Sequence, residues 1–295
     1  MLIGPAAVVD RTIEYLLTSY VFPESAQRAA DLLRARLHAG DYDADAEELC
    51  ERISADLFEA TEDKHLRLLW HDEIGGSRSE EDLVAGIREL FRSENYGVRR
   101  VERLEDNLGL IELTLVPEAE SGGPALAAAM RLVEHTRALI LDLRATRGGS
   151  PDGVAFLVSH LFPDGETRLC DIVTGPNGPA RQYWTYASVA GPRYVDRPVF
   201  VLTSESTFSG GEQLAYDLQA LGRAHVVGET TRGGAHPSQV VSLSDHIELR
   251  LPVARTVNPI TGGNWEGVGV QPDHPVAAAD ALATAQRLAL AASVS

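Results

Sequence analysis

Pro198-Val-Phe-Val-Leu-Thr203 runs directly into Ser204-Glu-Ser-Thr-Phe-Ser-Gly-Gly-Glu212. An unbroken apolar run closed by turn residues is the mark of a strand buried on both faces, since a half-exposed strand would alternate. The chain then turns briefly and enters a helix predicted from Ser209 to Leu221. Ala138-Leu-Ile-Leu-Asp-Leu143 repeats the pattern: a buried strand, a turn at Gly148-Gly149, and a helix through Phe156 and Leu161. Ala224–Gly228 is a third such strand. Buried strands separated by helices imply an α/β fold with a mostly parallel sheet covered by helices.

Upstream of these strands, Val98–Arg103 and Leu108–Val116 read as a hairpin turning at Asp106-Asn107, and a helix is expected over about 124–136. Residues 163–197 are rich in Gly and Pro and give no clear assignment. Residues 5–60 read as three helices. Val8, Ile13, Leu16, Leu17 and Tyr20 stripe the first. The second runs from about Pro23 to His38, with Gly40 in the stop position. Leu49, Ile53, Leu57 and Phe58 stripe the third. A strand is expected at Leu66–Trp70, a joint at Gly75-Gly76-Ser77, and a helix capped by Ser79. The expected organisation is a helical N-terminal domain over 1–75, a connector helix and strand over 76–105, and an α/β catalytic core over 106–295. That core ends in a helix at Ala277–Ala292.

The 295 residues are ample for a sizeable core, and 44% hydrophobic with 23% charged residues is ordinary for a globular chain. A formal charge of −17 disfavours a nucleic-acid partner, because the phosphate backbone would repel it. The N-terminus has no basic region and reads as an amphipathic helix rather than a signal peptide. No stretch approaches the roughly 20 apolar residues of a membrane span. Cys50 and Cys170 both lie in apolar surroundings and are expected as buried thiols, which points to a cytoplasmic protein.

Ser209 is the first candidate for chemistry. A hydroxyl at a helix N-terminus meets free N–H groups and the positive dipole end, which favour an oxyanion. The same position also suits a plain N-cap, where serine is common. Gly148 and Gly149 leave a buried strand at the same C-terminal sheet edge, where ligands bind in such folds. One N–H from Gly210 and one from Gly148 or Gly149 could form an oxyanion hole, although paired glycines are more often only a turn. A serine needs a base. Lys64 is the sole lysine against 25 arginines, so histidine is the better candidate. His65, in Asp63-Lys-His-Leu-Arg-Leu-Leu69, and His236, in Gly-Gly-Ala-His-Pro237, are rivals that spacing does not separate. Glu266, in the Gly- and Asn-rich loop Asn258–Asp273, could orient an imidazole or be an exposed loop carboxylate. No metal-ligand spacing, dinucleotide fingerprint or P-loop occurs, so neither metal nor cofactor is expected.

Six segments carry a resemblance: 63–68, 95–104, 141–149, 206–212, 226–234 and 258–273, in that order along the chain. Together they resemble the serine peptidase family of C-terminal (tail-specific) processing peptidases and the tricorn core. The interphotoreceptor retinoid-binding protein-like branch is the nearest part of it. The resemblance implies a crotonase/ClpP-like core preceded by a small helical domain. It marks Ser209 as nucleophile, His65 and Glu266 as its tricorn-like partners, and Gly210 with the Gly148-Gly149 loop as the oxyanion hole. Gly234 stands where tail-processing relatives carry a lysine base. Residues 71–105 leave no room for the peptide-binding PDZ domain that many relatives insert, and Lys64 replaces the serine that precedes the histidine in tricorn-like sites. The implied function is hydrolysis of peptide or unfolded-protein substrates by a soluble enzyme compatible with a homo-oligomer. One alternative is a non-catalytic module binding apolar, retinoid- or lipid-like ligands. Another is a crotonase-type enzyme acting on thioesters.

Overall fold

The computed structural model describes residues 3–72, 89 and 91–292. The joint at 75–77 and most of the helix expected from Ser79 lie outside the described residues. In chain order the helices are α1 Pro5–Ser19, α2 Pro23–Ala39, α3 Ala46–Thr61, α4 Ala119–Leu132, α5 Pro151–Ser159, α6 Gly210–Ala220 and α7 Ala278–Ala292. The strands are β1 Arg67–Trp70, β2 Val98–Leu104, β3 Leu108–Leu113, β4 Ala138–Asp142, β5 Arg168–Thr174 and β6 Ala180–Trp184. They continue with β7 Val199–Thr203, β8 His225–Gly228, β9 Ser238–Ser242, β10 Ile247–Pro252, β11 Ala254–Val257 and β12 His274–Pro275.

The chain forms two compact units. One contains Met1–Leu83, Ile172–Arg181 and His236–Thr256; the other contains Val84–Asp171, Gln182–Ala235 and Val257–Ser295. The chain passes between them five times, three of them within β5, β6 and β11. Residues 236–256, expected in the core, pack with the N-terminal helices.

In the first unit, proline at the first turn starts α1 and α2, where its missing N–H costs nothing. Gly40, with φ +82°, ends α2 in the left-handed region. The Asp45 carboxylate caps α3 by accepting the Glu48 N–H at 3.0 Å. Val8, Ile13, Leu16, Leu33, Ile53 and Leu57 are buried together, whereas Leu17 and Phe58, expected in the stripes, are 46% and 45% exposed. β10 pairs antiparallel with β1 and β9, aligning Leu68 with Leu249. Ile247, Leu249 and Leu251 alternate with Glu248 and Arg250, so the strand buries one face on the helices.

The second unit is built on a six-stranded sheet in the order β12-β8-β7-β4-β3-β2, parallel except for the β2–β3 hairpin. That hairpin turns at Asp106 and Asn107, both left-handed, as the Asp-Asn pair predicted. β4 and β7 are buried at every residue. Leu139, Leu141, Val199 and Val201 face a core containing Met130, Val154, Leu157, Leu214 and Leu218 from α4, α5 and α6. The alternate residues Ile140, Phe200 and Leu202 face Ala281, Ala285 and Ala289 of α7. Each such buried side chain contributes about 1.5–3 kcal/mol. The expected α/β fold with a mostly parallel sheet and helices at the N-terminus is the fold observed. α4 starts five residues earlier than expected. Gly122 and Gly123 lie inside it, and a side chain on Gly122 would strike Pro117 at 2.4 Å.

Candidate active site

β4 and β7 are adjacent and parallel, so the loops that leave them emerge side by side at one sheet edge. Four hydrogen bonds lace these loops to each other and to the sheet. Ser204 Oγ donates to the Arg144 carbonyl at 2.6 Å, Thr207 Oγ1 to the Leu143 carbonyl at 2.9 Å, the Phe208 N–H to the Thr146 carbonyl at 3.0 Å, and Thr146 Oγ1 to the Leu113 carbonyl at 2.6 Å. The Arg144 guanidinium grips Asp142 with two bonds, of 2.9 and 2.6 Å, and donates to the Ala278 carbonyl at 2.7 Å. That fork anchors the root of the first loop.

Ser209 sits at the N-cap of α6 with φ +52° and ψ −115°. This region is almost reserved for glycine and costs a side-chain-bearing residue about 1–3 kcal/mol. A plain cap would adopt relaxed extended backbone. The strained turn instead holds the hydroxyl against the first loop: a Cβ added at Gly148 would lie 3.6 Å from Ser209 Cβ and 3.9 Å from its Oγ. A Cβ on Gly210 would strike the Gly149 backbone at 2.7 Å, so a glycine at 210 is needed for the loops to approach. Gly149 itself bridges to Val116, pinned by Val116 N–H to Gly148 and Ser150 N–H to Val116, each at 2.9 Å. Among the described residues, the loop bonds engage the N–H groups of Arg147 and Ser150, not those of Gly148 or Gly149. Ser209, Gly210, Gly148 and Gly149 are thus brought together as the sequence suggested.

Glu212 was not singled out from sequence. Its carboxylate is completely buried and accepts the N–H groups of Ser209 at 2.8 Å, Gly233 at 2.5 Å and Gly234 at 2.9 Å, with the Thr231 hydroxyl as fourth donor. Burial pushes its pKa upward, and these four donors only partly offset that. The signal was readable: a Glu three residues after an N-cap serine is a capping box. The Gly234 carbonyl is covered by Trp265 Nε1–H at 2.8 Å. Glu266 is half-buried and accepts the Ala235 N–H at 2.5 Å, one residue along from the pair held by Glu212.

The histidines belong to the other unit. There Asp63, buried, accepts Tyr20 OH at 3.0 Å, the His65 N–H at 2.9 Å and His236 Nδ1–H at 2.9 Å. Burial drives the Asp63 carboxyl upward, but the hydrogen bonds from His236 and His65 outweigh it and hold the pKa below the usual value. The Asp63 bond fixes the His236 tautomer with its proton on Nδ1 and its basic nitrogen at Nε2. Of the two candidate bases, His236 is therefore the one whose ring carries a carboxylate, that of Asp63. The His65 ring is lowered to about 4, first by burial and then by the positive groups His236, Arg67 and Arg250, against the pull of Asp63.

Comparison with known proteins gives the family and the fold. Residues 107–276 match the model of Peptidase family S41. The chloroplastic carboxyl-terminal-processing peptidase 2 of Arabidopsis thaliana is 33% identical over 170 residues, which cover 57% of this chain and 32% of that one. The chain spans about a third of the length of the curated relatives it matches. Two solved structures share the fold. A lipoprotein from Streptococcus agalactiae aligns with a TM-score of 0.62 at 16% identity, covering 99% of this chain and 98% of that one. The photosystem II D1 C-terminal processing protease aligns with a TM-score of 0.55 at 16% identity, covering 94% of each chain. The family match takes in the whole of β3, both glycine-bearing loops and the complete 258–273 segment, and on it the chain belongs to Peptidase family S41.

Proposed function

We propose that the protein is a serine peptidase in which Ser209 Oγ attacks the scissile carbonyl, His65 takes its proton, and Glu266 orients the imidazole. The tetrahedral oxyanion would be bound by the N–H of Gly210 together with that of Gly148 or Gly149. The intermediate then collapses to an acyl-enzyme as the imidazolium returns the proton to the leaving amine, and water repeats the sequence to release the acid. The observation that carries the reading is the strained Ser209 turn lying against Gly148, because a nucleophile needs its hydroxyl beside donors aimed at the developing charge. Peptides or unfolded proteins are the proposed substrates. A cytoplasmic location is supported by Cys50 and Cys170, both free and buried. The interphotoreceptor retinoid-binding protein-like branch is proposed on the six segments 63–68, 95–104, 141–149, 206–212, 226–234 and 258–273. Among the described residues, no helix is long and apolar enough to cross a membrane.

The test is covalent labelling. A fluorophosphonate should modify the protein at Ser209, read by peptide mass mapping; no adduct, or an adduct on a different serine, would refute the proposal.

The base has its own signature. A histidine acts as a base only when neutral, so activity falls as pH drops through its pKa. With His65 lowered to about 4, the acid limb of kcat/KM should lie near pH 4, well below the value near 6.5 that an unperturbed imidazole would give. An acid limb at 6 or above would remove His65 from the role.

A further inference from the structure

Arg250 lies on the face of β10 turned away from the helices, since Leu249 and Leu251, which flank it, are buried against them. The strand register sets it directly opposite Arg67 of β1. Like charges directly opposite each other destabilise a ladder. Arg250 also lacks a counter-charge. Its Nε–H is buried without a hydrogen-bond acceptor, and among the described residues no carboxylate pairs with its guanidinium. Glu248, the carboxylate next along the same face, lies 3.0 Å from His71 Nε2 instead. On the other side, the residue of β9 opposite Arg250 is Val240, which carries no charge. A glutamine or threonine at 250 would hold the strand without repulsion, so the second guanidinium calls for an explanation.

His65 supplies one. Arg67 follows it by two residues, and both arginines are among the charged groups that bear on its ring. As general base, His65 takes the serine proton and returns it to the leaving amine, so it serves the leaving-group side of the scissile bond. A carboxylate carried by the leaving segment would answer both arginines. Each guanidinium is a planar fork that fits a carboxylate with two parallel, charge-assisted hydrogen bonds. The bound anion would also offset the repulsion across the ladder.

We propose that Arg250, together with Arg67, forms a seat for a carboxylate on the leaving-group side of a peptide substrate, supplied by its free C-terminus or by an Asp or Glu side chain. The inference rests on the serine-peptidase reading above, with His65 as base, and adds the substrate class.

A digest of unstructured peptides, read by mass spectrometry, identifies a sequence that the protein cuts. That peptide is remade as the free acid, as the C-terminal amide, and with each leaving-side Asp or Glu changed to Asn or Gln. Wild type should cleave the form that keeps the recognised carboxylate about 10–100-fold better in kcat/KM than its amide counterpart, chiefly through KM. Loss on amidation assigns the C-terminus; loss on the side-chain change assigns an acidic residue. Arg250→Gln should shrink the discrimination to less than about threefold, and Arg250→Glu should reverse it. Arg250→Lys should keep part of it, because the charge remains without the fork. An arginine that merely supported the sheet would move acid and amide peptides alike. If Arg250→Gln does not fold, Arg67→Gln carries the test with the same expectation. Equal turnover of acid and amide forms by a wild type that fluorophosphonate labels at Ser209 would overturn this inference alone, as would a preference that Arg250→Gln retains. A wild type that neither labels nor cleaves sinks the peptidase reading and the leaving-side seat with it.

Discussion

Ser209→Ala is expected to lower kcat/KM for peptide hydrolysis by about 10⁴–10⁶-fold while leaving the protein folded. The alanine retains Cβ, so the packing against Gly148 is kept and only Oγ is lost. Hydrolysis that survives would come from water attacking a carbonyl still held by the backbone donors. It should no longer show a covalent intermediate. A loss of less than about tenfold would mean that another group attacks. The backbone makes a companion change more telling. Because φ +52° with ψ −115° suits glycine alone, Ser209→Gly should abolish turnover as thoroughly and yet raise stability above that of Ser209→Ala. The gain is strain relief less the extra entropy of an unfolded glycine, about 1 kcal/mol net, visible as a higher Tm. A less stable glycine variant would show that the strain is absent in solution. A more stable, inactive one would show a position whose conformation is kept for chemistry at the expense of folding.

The sheet was legible because β4 and β7 are apolar at nearly every residue, and both glycine-bearing loops could be placed at one edge from strand direction alone. What escaped notice was held by distant partners. β10 carries a clear alternation over Ile247–Leu251, but its one-sided burial makes sense only once it meets β1, whose paired residues lie about 180 positions earlier. The discontinuous first unit follows from that pairing. Asp63 and His236 are 173 residues apart, and no local pattern announces that one holds the other's ring. Glu266 looked like the orienting carboxylate because its loop is glycine-rich. The structure puts its carboxylate on the Ala235 N–H, and the carboxylate bonded to the His236 ring is that of Asp63. The resemblance pointed to His65 where spacing had left two rivals, and burial then moved its pKa in a direction that sequence cannot show.

Glu212→Leu is expected to cost about 3–5 kcal/mol of stability and to eliminate fluorophosphonate labelling even in molecules that stay folded. Leucine fills the volume but leaves the N–H groups of Ser209, Gly233 and Gly234, with the Thr231 hydroxyl, buried without their acceptor. Each orphaned donor costs about 1–3 kcal/mol, reduced where the chain can relax toward water. Glu212→Gln separates the two effects. Its oxygen can keep the Ser209 and Gly234 donors at one position, but its NH₂ must then face the Gly233 N–H, donor against donor. The expected loss is about 1–3 kcal/mol, with the Ser209 turn still tied and labelling slowed rather than abolished. The order wild type, glutamine, leucine should therefore hold both for Tm and for labelling rate measured well below each Tm. If leucine labels as fast as wild type at equal folded fraction, the strained turn is maintained by the close approach of Gly210 to Gly149 and Glu212 merely fills the interior. If labelling collapses while the leucine protein stays folded, the buried carboxylate is what keeps Ser209 in a backbone conformation that it would otherwise leave.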